Sequence, residues 1–140
     1  VLMRWKLHPK IYKVILVAEN TGLIKELFNI LVEKTVPVME EVFRIYPNFS
    51  FSFNISPAQL MSVEDLKRTM DNLLSTGLSP ERIQLEITET QILENKKVEE
   101  TLRRFIESGF KLVIDDFGKG YSSFDRLKEW EIYGVKIDRS

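Results

Sequence analysis

Two adjacent aspartates, Asp115 and Asp116, follow a short apolar run and precede a loop that contains two glycines. Neighbouring carboxylates repel each other unless a cation compensates both charges. Asn54 and Glu86 stand near the ends of two other runs, in which apolar and polar residues alternate. Amide and carboxylate oxygens are preferred ligands of hard cations such as Mg²⁺ and Mn²⁺. These four residues therefore indicate a divalent metal site, if the fold brings them together.

Each of these residues also has an ordinary structural interpretation. A lone Asp-Asp pair after a strand is more often a turn or a helix cap than a metal site. Asn54 could bond to the backbone, and Glu86 could be an ion-paired interior residue. Lys136, on a fourth run, could be the partner of Glu86 or of Asp138. What favours a metal site is that such polar residues recur at equivalent places in successive units of the chain.

Other chemistries fit the sequence poorly. The chain has no cysteine and one histidine, His8, which argues against a zinc site. The Asp-Phe-Gly at residues 116–118 lacks the accompanying motifs of a protein kinase, and residues 118–123 lack the residue order of a phosphate-binding loop. With a formal net charge of -1, the chain is not expected to bind a nucleic acid polymer.

The elements that would position these residues can be predicted from hydrophobic periodicity. Alternation of apolar and polar residues predicts strands at residues 51–56 and 83–88, and two further runs predict strands at residues 110–116 and 133–138. Helical spacing predicts helices at residues 23–46, 62–77, 98–109 and 122–130. Pro37 is expected to kink or break the first of these helices, whereas Ser62 and Gly77 are expected to begin and end the second.

The alternation of strands and helices predicts an α/β fold, with a parallel sheet and helices packed outside it. Asn54, Glu86 and Asp115 recur at intervals of about 30 residues, the length of one β/α unit. Such units build either a (β/α)₈ barrel or a doubly wound sheet, and a barrel of about 250 residues would be only half covered by this chain. Because two successive residues cannot both face inward on a regular strand, the backbone is expected to bend after Ile114.

Composition places the chain among ordinary globular domains, with 44% hydrophobic and 29% charged residues. Its longest apolar run, residues 14–18, is far shorter than the roughly 20 residues of a membrane-spanning helix. We therefore expect no membrane contact from this segment and a cytoplasmic location. Since the first residue is Val1 rather than methionine, the chain is expected to be cut from a longer protein, which could itself carry a membrane anchor.

Six motifs together resemble those of the EAL-domain family, phosphodiesterases for the bacterial messenger cyclic di-GMP. In chain order they are VLMRW (1–5), AENTGLI (18–24), FNISPAQL (53–60), LEITET (85–90), IDDFGKGYSS (114–123) and VKIDRS (135–140). The first is similar to the family's EALxRW strand without its leading glutamate. The resemblance implies a TIM-like (β/α) barrel, here an incomplete one that covers the N-terminal portion, as one domain at residues 1–140 truncated at both ends.

The resemblance also implies roles for individual residues. Those that match metal ligands are Asn54, Glu86, Asp115 and Asp116. Those that match catalytic positions are Lys136, near the attacking water, Glu89, which fixes the loop after the aspartate pair, and Asp138, beside the metal centre. Those that match substrate-binding positions are Leu2 and Arg4. The implied reaction is hydrolysis of cyclic di-GMP to linear pGpG with two Mg²⁺ or Mn²⁺ ions about 3.5–4 Å apart. EAL relatives are expected to be homodimers fused to sensory or cyclase domains.

Two departures from the family pattern support an alternative function: the signature glutamate is missing, and Lys119 stands where the family has a small threonine. The chain also lacks the catalytic residues that the family carries beyond the position of Ser140. The alternative is a catalytically degenerate EAL domain that binds cyclic di-GMP as a sensor. A different metal-dependent barrel enzyme, such as an aldolase or lyase, fits fewer of the motifs.

Overall fold

A computed structural model describes residues 11–60, 62–88, 96–118, 128 and 130–137 of the chain. The helices of this part are α1 (Ile11–Thr21), α2 (Ile24–Ile45), α3 (Pro57–Leu60), α4 (Val63–Ser75) and α5 (Lys96–Glu107). The strands are β1 (Phe51–Asn54), β2 (Ile83–Thr88), β3 (Lys111–Phe117) and β4 (Gly134–Ile137), with a short 3₁₀ helix, Pro80–Arg82, before β2. None of the helices in these ranges is both long enough and apolar enough to cross a membrane.

The four strands form one parallel sheet in the order β1-β2-β3-β4. Asn54 pairs with Glu86 across β1 and β2, and Thr88 pairs with Asp115 across β2 and β3. Parallel strands connected through helices place their carboxyl ends at the same edge of the sheet. The predicted α/β fold with neighbouring β/α units is therefore confirmed, and the four strands are the described part of an incomplete barrel.

The two faces of the sheet have different characters, as the alternating sequence predicted. One face carries Phe53, Leu85, Ile87, Leu112 and Ile114, which are all fully buried. These side chains belong to the same core as residues of the surrounding helices, including Phe28, Val32, Met39, Leu73, Leu102 and Phe105. Full burial of one such side chain stabilises the fold by about 1.5–3 kcal/mol. The opposite face carries polar residues, and these include the ones that lie at the carboxyl ends of the strands.

The expected boundaries of α4 are confirmed. The hydroxyl of Ser62 accepts a hydrogen bond from the backbone N–H of Asp65, as an N-cap residue does. Gly77, shortly after the helix, has a φ of 72°, a left-handed conformation that glycine adopts without a steric penalty.

The expected break at Pro37 is wrong, because α2 continues through this residue to Ile45, whereas the expected kink stays a prediction. Proline inside a helix removes one backbone hydrogen bond and costs about 3 kcal/mol. Val32 precedes Pro37 and Met39 follows it, and each is only 1% exposed in the core. Burial on both sides of the proline offsets its cost, so that tertiary packing overrides local propensity.

Helix α1 was not predicted, and its exposure explains why. Only Ala18 of this helix is buried, whereas Tyr12, Leu16 and Val17 are each more than half exposed. Apolar residues on all sides of a helix leave no clear stripe from which a period could be read. The predicted helix at 122–130 lies outside the described residues except for residues 128 and 130, and the family-like strand at 1–5 lies wholly outside them.

An ion pair between α2 and α4 generates the first prediction. The ammonium group of Lys25 donates a hydrogen bond to the carboxylate of Asp65. This bond, with a smaller contribution from the Ser62 hydroxyl, lowers the pKa of Asp65 below its ordinary value. A depressed pKa stabilises the fold above the unfolded-state pKa of about 4, and the stabilisation is lost as the pH falls through the folded-state pKa.

We therefore expect Asp65→Asn to lower the free energy of unfolding at pH 7 and to flatten the loss of stability below about pH 4. Urea denaturation at a series of pH values measures both effects. Asp71→Asn, on an exposed position of the same helix, is the matched control. An identical acid dependence in wild type and Asp65→Asn would contradict the assignment.

Candidate functional site

A cavity of about 300 Å³ lies at the carboxyl ends of β1, β2 and β3, beside α1. Its polar wall is formed at the strand ends by Asn54, Glu86, Thr88 and Asp115. Its apolar wall includes Ile11 and Ile15 of α1 together with Ile24, Phe28 and Leu31 of α2. The turn after β1 contributes Ile55, Ser56 and Gln59, and Glu19 completes the α1 side. The cavity thus combines oxygen-bearing side chains with an apolar surface.

Three of the four residues predicted as metal ligands line this cavity: Asn54, Glu86 and Asp115. The register explains their proximity, since Asn54 lies opposite Glu86 and Asp115 lies opposite Thr88, two residues further along β2. Residues two apart on a strand share a face. The side chains are therefore on the same face of three neighbouring strands, as a shared metal site requires, and metal binding itself stays a prediction.

Glu86 is the most buried of the three, with 5% of its surface exposed. Its carboxylate accepts a hydrogen bond from the ammonium group of Lys136 on β4, which remains about half exposed. A buried carboxylate without a cation costs several kcal/mol, so a compensating charge at this position is required for the fold to be stable. Lys136 is therefore the partner of Glu86, one of the two pairings that the sequence left open, and it supplies that charge, whereas its catalytic role stays a prediction.

The Asp115-Asp116 pair forms the sharp bend that was expected after Ile114. The pairing of β3 with β4 shifts register between Ile114 and Phe117, and Asp116 has a φ of 56°. The backbone N–H of Asp116 donates to Oδ1 of Asp115 at 2.9 Å. Asp116 is not among the described residues that line the cavity, so the bend brings only Asp115 into that wall.

The turn after β1 contains an arrangement that sequence reasoning missed. Ser56 is the N-cap residue, directly before α3, and its hydroxyl accepts a hydrogen bond from the N–H of Ala58 at 3.3 Å. Gln59 reaches back, and its Oε1 accepts from the N–H of Ser56 at 3.0 Å. This is a variant of the capping box in which the hydroxyl accepts from the second helical N–H rather than the third, with Pro57 at the first helical position. The Ser-Pro-Ala-Gln order at residues 56–59 could have revealed it.

One further contact and one buried nitrogen without a hydrogen-bond partner among the described residues complete the description of this turn. The Ser56 hydroxyl donates to Oε1 of Glu19 at 2.9 Å, which joins the turn to α1. Gln59 is 2% exposed, and its Nε2 has no hydrogen-bond partner in the described part of the chain. Nothing in the sequence pattern linked Glu19 with Ser56, because the contact spans two elements that are far apart along the chain.

Several predicted residues cannot be placed. Leu2, Arg4, Glu89 and Asp138 lie outside the described residues, as does Lys119. Within the described ranges, no three Asp, Glu, His or Cys side chains form a group that could hold a metal ion. A metal bound by Glu86 and Asp115 would therefore take further ligands from the Asn54 amide, from water, or from residues outside those ranges.

The left-handed conformation of Asp116 generates the second prediction. Aspartate and asparagine tolerate this region, whereas a β-branched residue does so at a cost of about 1–2 kcal/mol. We expect Asp116→Val to lower the free energy of unfolding by about that amount and Asp116→Asn to leave the fold intact. Urea denaturation in the presence of a chelator measures the difference without any contribution from bound metal. Equal destabilisation by both substitutions would contradict the assignment of this backbone conformation.

Comparison with known proteins gives consistent results. A family model described as EAL domain matches residues 1–140. The cyclic di-GMP phosphodiesterase RocR of Pseudomonas aeruginosa is 32% identical over 100% of this chain and 37% of its own length. The chain spans well under half of the length of the curated relatives that it matches.

Solved structures agree with the sequence relatives. PaMucR phosphodiesterase in complex with c-di-GMP superimposes with a TM-score of 0.79 and 27% identity, over 91% of this chain and 56% of that one. Klebsiella pneumoniae BlrP1, in a complex with manganese and cyclic di-GMP, superimposes with a TM-score of 0.62 and 25% identity, over 92% of this chain and 30% of that one.

Proposed function

Because this chain belongs to the EAL-domain family, we propose that it is part of a phosphodiesterase that hydrolyses cyclic di-GMP to linear pGpG with two divalent cations. The observation that carries the proposal is the cavity at the carboxyl ends of the strands, where Asn54, Glu86 and Asp115 meet. Relatives named as cyclic di-GMP phosphodiesterases, and similar structures named as complexes with that nucleotide, support the choice of substrate.

The residues at the strand ends suit divalent cations. Asn54, Glu86, Asp115 and Asp116 would hold the ions through amide and carboxylate oxygens, the ligands that Mg²⁺ and Mn²⁺ prefer. When bound, such ions activate water for attack on phosphorus and neutralise charge on the phosphoryl group. Manganese in the similar BlrP1 structure is consistent with this requirement, and the donor set accommodates either metal.

Lys136 would have two roles in this site. Its ammonium group is bonded to the Glu86 carboxylate, so that the lysine holds this acid in position. Because Lys136 remains about half exposed, it can also donate to the attacking water or to a phosphate oxygen at the cavity. Four residues outside the described ranges complete the proposed set: Glu89 would fix the loop after the aspartate pair, Asp138 would lie beside the metal centre, and Arg4 and Leu2 would contact the substrate.

The apolar wall of the cavity suits the remaining part of such a substrate. Ile11 and Ile15, four residues apart, lie on one face of α1 and line the cavity opposite the strand ends. A nucleotide has a charged phosphate and a flat base with apolar faces, and the two walls could contact these two parts separately. The protein would act in the cytoplasm as a homodimer, with sensory or cyclase domains in the same chain; the greater length of the relatives is compatible with such fusions.

The alternative, a degenerate domain that binds cyclic di-GMP without hydrolysing it, is favoured by one contact. The Lys136 ammonium already compensates the buried Glu86 carboxylate, so that this carboxylate does not itself need a divalent cation, although Asp115 in the same cavity carries a further negative charge. Binding of the nucleotide without turnover would identify this alternative.

The third prediction tests catalysis. In the full-length protein with Mn²⁺ and cyclic di-GMP, we expect pGpG to form and Asp115→Asn to reduce its formation by more than about 100-fold, because loss of groups that merely orient a ligand already costs 10- to 100-fold. Chromatographic separation of the nucleotides measures the product. Asp71→Asn, an exposed position on α4, is the matched control and should retain wild-type activity. Absence of pGpG above a chelator-treated sample, with calorimetry showing that the nucleotide binds, would replace the phosphodiesterase with the sensor.

A further inference from the structure

The position of Asn54 depends on the backbone on either side of it. Within the ranges that the structure describes, its side chain has no hydrogen-bond partner. Its backbone belongs to β1, which pairs with β2, and the next N–H, that of Ile55, donates to the carbonyl of Glu86 at 2.9 Å. The sheet therefore fixes the chain up to Ile55, and whatever fixes Ser56 determines the remaining freedom of the strand end.

Ser56 is held by the capping box and by Glu19 together. Because its hydroxyl oxygen accepts from the N–H of Ala58, the hydroxyl proton is free to point away from α3, toward Oε1 of Glu19. The side chain of Gln59 occupies the backbone N–H of Ser56. Both the N–H and the hydroxyl of this serine are thus bonded, and Ser56 is 8% exposed, so that water cannot easily replace either partner.

Glu19 is also the main polar tether of α1 near the cavity. It follows Ala18, the single buried residue of that helix, and it shares a face with Ile11 and Ile15 at intervals of four residues. The hydrogen bond from Ser56 joins this face to the end of β1. One contact therefore joins the α1 part of the apolar wall to the polar wall of the cavity.

We propose that Glu19 is a positioning residue for Asn54, acting through Ser56 and the capping box. The inference rests on the proposed function, in which Asn54 is a metal ligand. Groups that orient a metal ligand commonly affect metal affinity by 10- to 100-fold without touching the ion. In this role Glu19 needs an oxygen that accepts from Ser56, whereas its negative charge is not required.

Four variants separate this role from direct metal binding. Ser56→Ala and Glu19→Ala each remove the hydrogen bond, whereas Ser56→Thr keeps a hydroxyl and Glu19→Gln keeps an acceptor oxygen. Ser52→Ala is the matched control, because Ser52 is on β1 like Asn54 and its hydroxyl donates to Oε1 of Gln84 on β2 at 2.9 Å, away from the cavity. It removes a similar hydrogen bond from β1 without disturbing the turn.

The fourth prediction concerns the affinity of the full-length protein for Mn²⁺ alone, measured by the electron paramagnetic resonance signal of the free ion. We expect Ser56→Ala and Glu19→Ala each to weaken binding about 10-fold, and the double variant to be no weaker than either single one. Ser56→Thr and Glu19→Gln should restore most of the affinity, and Ser52→Ala should match wild type. Thermal denaturation of each variant verifies that all are folded at the temperature of the titration.

Other outcomes overturn the inference in recognisable ways. If Glu19→Gln binds Mn²⁺ as weakly as Glu19→Ala while Ser56→Ala binds normally, Glu19 is itself a ligand rather than a positioning residue. If all variants bind as wild type does, the contact is only structural. If wild type binds Mn²⁺ and the variants follow the expected pattern, but cyclic di-GMP is not hydrolysed, the proposed function is overturned and the positioning role stays intact. A wild type that does not bind Mn²⁺ would overturn both.

Discussion

The register of the parallel strands is the constraint on which the site depends. Asn54 lies opposite Glu86, and Asp115 lies opposite Thr88, so that alternate residues of three strands present oxygen atoms on one face at one edge. A shift of one residue in any strand would turn its polar side chain toward the helices and its apolar side chain toward the cavity. The buried residues Phe53, which neighbours Asn54, and Ile114, which neighbours Asp115, prevent that shift. The hydrophobic core therefore determines the geometry of the polar site.

The burial of Glu86 adds an electrostatic requirement to the geometry of the site. A carboxylate that is 5% exposed requires a cation, and Lys136 reaches it from β4. An exposed ion pair stabilises a fold by at most about 1 kcal/mol, whereas an unpaired buried charge destabilises it by several kcal/mol. The Lys136–Glu86 pair therefore contributes more to stability than the exposed i,i+4 pairs on the helices. The same requirement makes Glu86 a good ligand for a divalent cation, because the site must contain positive charge in either state.

The strands, the caps of α4 and the bend after Ile114 could all be predicted from the sequence. Alternation, an N-cap serine and two like charges at a strand end are local signals whose physical causes are local. The path of α2 through Pro37 could not be predicted, because the burial of Val32 and Met39 that stabilises it depends on the tertiary fold. Glu19 was missed for the same reason, since a glutamate on a mostly exposed helix has no partner until the fold brings Ser56 to it.

Helix α1 forms part of the cavity wall but, unlike the strands, it has little buried surface to hold it in place. It is anchored at its carboxyl-terminal half, by buried Ala18 and by the hydrogen bond from Ser56 to Glu19, while much of the rest of its surface is exposed. Elements with few buried contacts are the first to open in native proteins. Because Ile11 and Ile15 form part of the apolar wall, local opening of α1 would remove that part and leave the α2 residues of the wall and the strand ends in place. The core thus makes the polar side of the cavity rigid, whereas the α1 part of its apolar side is held by Ala18 and by one hydrogen bond.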